Sequence, residues 1–261
     1  MQPAVASIYA FARWADDAAD EGDLNPAERM EKLDEWGERL EACVSEPADH
    51  DVFLALGETI RKYDLPLQPF RDLLYAFRRD VEVKRYKTWD DLLNEYCRFS
   101  ANPVGRLVLL LFGHRDKERH LLSYRICTAL QLANFWQDIS VDLQKGRIYV
   151  PLELMKVHGY AEEEFLRKIY NQAFQGLLAD LIGRTRTLFL EGANLPEMVP
   201  GRLRWELRGV WLGGTRILEK IEAEPNVFDH RPKLKKQDLP VLTWRALRYR
   251  KQIRHEAQKN A

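Results

Sequence analysis

Eight polar residues in two stretches of the chain have types and spacings suited to metal and phosphate chemistry. In QLANFWQDISVD, Gln131, Asn134, Asp138 and Asp142 follow one another at intervals of three, four and four. On a helix turning about 100° per residue they fall within roughly 80° of arc. Their neighbours Leu130, Leu132, Phe135, Trp136 and Ile139 are apolar, and carboxylates on a core helix are costly unless a cation or hydrogen bonds satisfy them. In IYAFARWADDAADE, Tyr9, Arg13, Asp16 and Asp20 recur at four, three and four, within roughly 60° of arc, as inward-facing candidates. Asp16 and Asp20 with Asp138 and Asp142 thus offer four hard oxygen donors, expected to face each other across a gap. Such donors suit Mg²⁺, which keeps several waters and takes further oxygens from a substrate phosphate. Arg13 has the planar fork for a diphosphate oxygen, and Asn134 and Gln131 add neutral donors and acceptors. Lys145 and Arg147, just past the second stretch, are expected to form a basic rim for the departing group. The chemistry expected of such a set is metal-assisted loss of diphosphate.

The plain alternative for Asp16 and Asp20 is a solvated acidic face or salt bridges to nearby arginines; Asp138 and Asp142, on a mostly apolar helix, fit it less well. A carboxylate-bridged di-iron bundle needs Glu-x-x-His pairs, and no His of this chain has a Glu three residues before it. Dinucleotide, Walker and C-x-x-C motifs are missing, and no Ser-His-Asp signature is evident. Diphosphate leaving an allylic or cyclopropylcarbinyl carbon leaves a carbocation, which aromatic faces stabilise. Phe11, Tyr96, Phe99, Phe135 and Trp136 are candidates, with core packing the competing reading for each.

The elements that must position these groups all read as helical. Helices are expected over 3–21, from Asn25-Pro26 to about 44, from a turn at 45–51 to before Pro66, and from Pro69 to about 85. Residues 88–112 read as two pieces broken at Asn102-Pro103, since proline pushes the residue before it out of helical backbone. The central helix starts near Arg119. KGRIYVP, 145–151, is basic and non-helical, and helices resume at 161–191, 202–223 and 238–256. Without strand periodicity, repeats or a long linker, the expected fold is one all-α domain over residues 1–261, a helical bundle of about ten or more helices.

At 261 residues the chain can bury a sizeable core. Forty basic and forty acidic residues give zero formal charge, which argues against nucleic acid as a partner. Cys43, Cys97 and Cys127 are widely spaced in apolar surroundings and read as buried free thiols of a reducing compartment. With no signal-peptide pattern and no apolar run of spanning length, the expected location is the cytoplasm, with membrane contact limited to the periphery. The basic C-terminal segment, 231–261, interleaves Lys and Arg with Leu239, Leu242, Trp244, Leu247 and Tyr249. Its two readings are a solvated helix closing the domain and a dock for an anionic membrane.

These motifs resemble those of the squalene/phytoene synthases. IYAFARWADDAADE is similar to the family's first aspartate motif and QLANFWQDISVD to its second. YCRFSANPVG resembles its Tyr-containing helix, which breaks near the active site, with Tyr96 at the substrate-facing tyrosine; DVEVKRY and GRIYVP also fit. The resemblance runs from Pro3 to about Trp244. It implies an isoprenoid-synthase-type bundle with a central apolar cavity and a prenyl diphosphate lipid substrate. It also implies Mg²⁺ on Asp16, Asp20, Asp138 and Asp142, diphosphate on Arg13, Asn134, Lys145 and Arg147, and catalytic roles for Tyr9, Arg13, Tyr96, Gln131 and Asn134. Gln137, where carotenoid-type members have arginine, together with SANPVG, WLGGTRILEKIE and VFDHRP, leans toward the hopanoid-pathway branch, which makes hydroxysqualene from presqualene diphosphate. The alternatives are head-to-head synthesis of presqualene diphosphate, phytoene or dehydrosqualene, and a non-catalytic assembly relative. Family members carry an upstream segment that covers the diphosphate; Met1 falls two residues before the first motif helix, so a short N-terminus is expected. The oligomeric state is left open.

Overall fold

The computed structural model describes residues 2–45 and 49–260; residues 46–48 of the turn expected at 45–51 lie outside the described residues. In chain order the helices are α1 (Gln2–Asp20), α2 (Pro26–Ala42), α3 (Asp51–Tyr63), α4 (Gln68–Glu82), α5 (Trp89–Asp91), α6 (Arg98–Ser100), α7 (Asn102–Leu111), α8 (Lys117–Gln144), α9 (Leu152–Val157), α10 (Glu162–Leu166), α11 (Gln172–Gly192), α12 (Gly201–Ala223), α13 (Leu239–Leu247) and α14 (Tyr249–Lys259). No β-strand occurs among the described residues, so the all-α class holds. The chain divides into two compact units, Met1–Val83 with Asn94–Asp116, and Lys84–Leu93 with Lys117–Ala261.

In the first unit, α1 presents Ala4, Ser7, Phe11, Ala15 and Ala18 to the core. The Phe11 ring meets Phe53 and Phe70 edge-on at 6.0 and 5.5 Å, and Trp14 stacks on Trp36 at 3.6 Å. Phe11 is therefore a packing residue, with no face left for a cation. The Asn25 side chain caps α2, accepting from the Ala27 and Glu28 amides, while the Glu28 carboxylate takes the Asn25 N–H. Such reciprocal capping satisfies donors that a helix start otherwise leaves open. α3 crosses the end of α2 at Gly57, where a Cβ would lie 2.4 Å from the Cys43 carbonyl oxygen.

The second unit is built on α8, whose 28 residues contain no breaker. Trp136 donates its indole N–H to Thr185 of α11 at 2.8 Å. At Gly214 of α12 a Cβ would fall 2.3 Å from Phe189 and 2.8 Å from Leu130, so only glycine permits this approach. Glu219 of α12, 9% exposed, binds Arg216, Arg245 of α13 and Lys259 of α14 at 2.8, 3.0 and 3.1 Å.

Several expected helices end differently. The stretch 161–191 is two helices, because Lys168 adopts a left-handed φ of 57° and Asn171 starts α11 afresh by capping Phe174. The stretch 238–256 breaks at Arg248, between α13 and α14. Helix resumes at 152, earlier than expected, behind Pro151. The irregularity expected at Asn102-Pro103 lies at Ala101, with Pro103 in the first turn of α7, where its missing N–H costs nothing. A π-helical turn over Leu92–Cys97, with one residue more than an α turn, was not signalled by any breaker. Cys43 and Cys97 are buried free thiols, as expected; Cys127 is only half-buried.

Candidate active site

On α1, Tyr9, Arg13, Asp16 and Asp20 share one face, but that face is opposite the buried one. Tyr9 is 67% exposed, and the Arg13 and Asp16 side chains are about half exposed. The stripe does not face the core: alanines and Phe11 take that side, and the polar groups remain accessible. Arg13 reaches Asp17 at 2.6 Å, Glu21 at 3.0 Å and Asp16 at 3.3 Å. Asp17 foremost, then Glu21 and Asp16, hold its guanidinium above the usual arginine value. This fork is already engaged by Asp16 and Asp17 of its own helix and by Glu21 just past it.

Tyr96 sits in the π-helical turn, 6% exposed, and donates its hydroxyl to Asp80 of α4 at 2.8 Å. Asp80 is itself buried. As the partner of Tyr96 it is a candidate that the motif spacing missed, although an acid on the apolar face of α4, in phase with Leu73 and Ala76, is the signal that would have found it. Phe99, one turn on, packs against Tyr75 at 4.4 Å.

On α8, Asp138 is buried and takes a two-pronged ion pair from Arg231, Nη2 to Oδ2 at 2.7 Å and Nε to Oδ1. The Asp138 carboxylate, chiefly through these hydrogen bonds, raises the Arg231 pKa. Beside it Gln137 donates its amide to the Pro232 carbonyl, so two adjacent side chains of α8 hold the Arg231 side chain and the Pro232 backbone. Arg231 is the second residue the spacing missed; within a basic stretch nothing singled it out. Asn134 and Gln137 also line a cavity of about 580 Å³ walled by Leu130 and Ala133 of α8, Gly209, Gly213 and Ile217 of α12, and Leu234. Gln131 is half-buried one turn earlier.

Asp142 closes α8, its carbonyl accepting the amides of Lys145 and Arg147. It lines a small void with Arg147, Ile148 and Tyr149. Arg147 is 8% exposed, so the basic rim expected of Lys145 and Arg147 is reduced to the exposed Lys145. The reason is the backbone: Ile148 pairs with Lys84 and Arg85, and Leu152 and Glu153 bond to Tyr86 and Lys87, drawing GRIYVP inward. Tyr149 then stacks on Phe135 at 3.8 Å. Both rings are engaged in packing.

Among the described residues no group of three or more His, Cys, Asp or Glu side chains is disposed to hold a metal ion. Asp138 does fit a hard cation: a buried carboxylate that already recruits a positive group. Such an ion would complete its shell with water and phosphate oxygens.

The sequence model for squalene/phytoene synthase matches residues 1–238. The chain belongs to the squalene/phytoene synthase family. Enzymes of this family bind prenyl diphosphates and use a divalent metal for diphosphate ionisation. Among solved structures, the chain is similar to squalene synthase HpnC from Alicyclobacillus acidocaldarius, at 41% identity and a TM-score of 0.81, covering 85% of this chain and 83% of that one. It is 30% identical to a phytoene synthase of Arthrospira platensis over 243 residues, 87% of this chain and 78% of that protein. A hydroxysqualene synthase of Zymomonas mobilis is 38% identical over 163 residues, 60% of this chain and 52% of its own length.

Proposed function

We propose that this squalene/phytoene synthase ionises presqualene diphosphate with Mg²⁺ and captures the rearranged cation with water, giving hydroxysqualene. The observation that carries the reading is Gln137. Gln137 lines an apolar cavity, at the position where the resemblance places arginine in carotenoid-type members. A reaction that joins two prenyl diphosphates must hold two anionic groups, whereas presqualene diphosphate carries one. A neutral amide at 137 suits the smaller charge and leaves an uncharged polar edge for water. The likeness to HpnC and to the hydroxysqualene synthase supports the same choice.

Asp16 and Asp20 on α1, and Asp138 and Asp142 on α8, are assigned as metal-holding carboxylates, each pair on its own helix. Bound Mg²⁺ supplies the Lewis acid that draws electron density from the leaving diphosphate. Arg13, Asn134 and Lys145 are assigned to the diphosphate, and Tyr9, Tyr96 and Gln131 to orienting the substrate. Arg147, being buried, is assigned to holding Asp142 and the loop after it. The carbon–oxygen bond breaks with its electron pair leaving on diphosphate. The cyclopropylcarbinyl cation rearranges, a water oxygen bonds to it, and the surplus proton passes to the released diphosphate. Leu130, Ala133 and Ile217 keep other water from the cation until then.

Purified protein with Mg²⁺ is incubated with presqualene diphosphate in ¹⁸O-water, and separately with farnesyl diphosphate alone. Labelled hydroxysqualene from the first and no coupling in the second is the expected result. Coupling of farnesyl diphosphate overturns the reading in favour of head-to-head prenyl transfer, which the likeness to phytoene synthase over most of the chain favours.

A further inference from the structure

The helix α13 has no buried residue. Its sequence, LPVLTWRAL, turns Leu242, Arg245 and Ala246 partly inward and leaves Leu239 at 59%, Trp244 at 53% and Leu247 at 69% exposure. A surface helix ordinarily puts charge on that side. The apolar surface continues across α12. Arg208 lies over the Trp205 ring at 4.7 Å and shares a surface recess with Leu247, while Arg248 lies over Trp244 at 4.6 Å. Trp205 is 49% exposed. Val210 and Leu234, 42% and 43% exposed, line the 580 Å³ cavity.

Charge decides what covers it. Around the patch, Lys233, Lys235, Lys236 and Arg248 are exposed and make no ion pair with a described residue. The acid between them, Asp238, is buried and held by Arg216 and Lys220. Glu206, at the cavity edge, is neutralised by Arg202. Exposed Trp and Leu ringed by uncompensated Lys and Arg match an anionic bilayer interface, where indoles sit at headgroup depth and basic side chains meet lipid phosphates. No helix among the described residues is long and apolar enough to cross a membrane, so the contact is with one face.

We propose that the outer face of α13, with Trp205, Val210 and Leu234, docks on an anionic lipid surface and sets the cavity edge against it. This narrows the basic segment 231–261 to its first half. α14 takes no part, because Tyr249, Gln252 and Glu256 are buried and Glu256 pairs with Arg186 of α11. The proposal stands whichever prenyl product the enzyme makes.

The test is cosedimentation of the full chain with vesicles of equimolar phosphatidylcholine and phosphatidylglycerol, and with pure phosphatidylcholine. Binding is expected to the first and to weaken with salt. Trp244→Ser with Leu247→Ser should lower partitioning about tenfold or more, and Lys233→Ser with Lys236→Ser by about fivefold per charge. All four positions are exposed, and unchanged thermal melts check that the variants fold. Hydrogen exchange should slow in α13 and not in α14 when vesicles are added. Equal binding to both vesicles, no binding, or binding that neither pair of substitutions alters overturns the proposal. So does a wild-type dimer that dissociates on the Trp244/Leu247 substitutions, which would assign the patch to a second copy of the chain.

Discussion

Replacing Glu219 by glutamine removes the charge at a point where three helices of the second unit converge. Arg216, Arg245 and Lys259 all contact its carboxylate within 3.1 Å. Burial on its own would raise the acid's pKa; the hydrogen bonds of these cations and the charge of Arg245 outweigh it and bring the value down from 4.5 to about 2. A carboxylate whose folded pKa is depressed stabilises the fold fully above its unfolded value and loses that contribution as pH falls through the folded one. At 1.36 kcal/mol per unit, the shift corresponds to roughly 3 kcal/mol at neutral pH, vanishing near pH 2. Glu219→Gln should therefore destabilise by about 2–3 kcal/mol at pH 7, leaving three cations against a neutral amide. Urea unfolding followed by circular dichroism, for both proteins from pH 7 to about pH 3, measures the difference. It should shrink steadily below about pH 4.5. A difference that is constant over this range would refute the ionic account and leave packing as the cause.

Two further substitutions bear on the site and its walls. Arg231→Met frees the Asp138 carboxylate from a two-pronged ion pair worth about 1.5 kcal/mol or more, so Mn²⁺ affinity measured by calorimetry should rise about tenfold; equal or weaker binding would mean that Arg231 does not compete with the cation. Gly214→Ala drives a Cβ to 2.3 Å from Phe189 and should cost about 1–3 kcal/mol, whereas Gly209→Ala meets nothing within 4 Å and should be neutral or stabilising by up to about 1 kcal/mol; thermal melts that rank the two the other way would refute the packing argument.

The all-α class, the limits of α1 and α2 and the approximate start of α8 were legible because they depend on local signals: helical periodicity, the Asn25 cap and a run without a breaker from near Arg119. Positions set by tertiary contacts were not. Arg147 looks like a surface base beside Lys145, but pairing of Ile148 with the 84–85 backbone pulls it inside. Tyr9 to Asp20 form one stripe, as the spacing requires, yet periodicity fixes only which residues share a face. Small alanines on the other side decided which face was buried. Arg231 comes to Asp138 from 93 residues away, a pairing no local pattern encodes.

The widened turn at Leu92–Cys97 makes chain length, as well as residue identity, a determinant of the site. Residues before and after it are out of step by about one residue, or about 100° of helical rotation. Deleting Asn94 would leave both Tyr96 and Asp80 encoded, but would close the turn to ordinary pitch and swing Tyr96 off the Leu73–Asp80 face of α4. Tyr96 is therefore specified by a count as much as by a codon. A helix of ordinary pitch would need one residue fewer before this position to present a tyrosine to the same face.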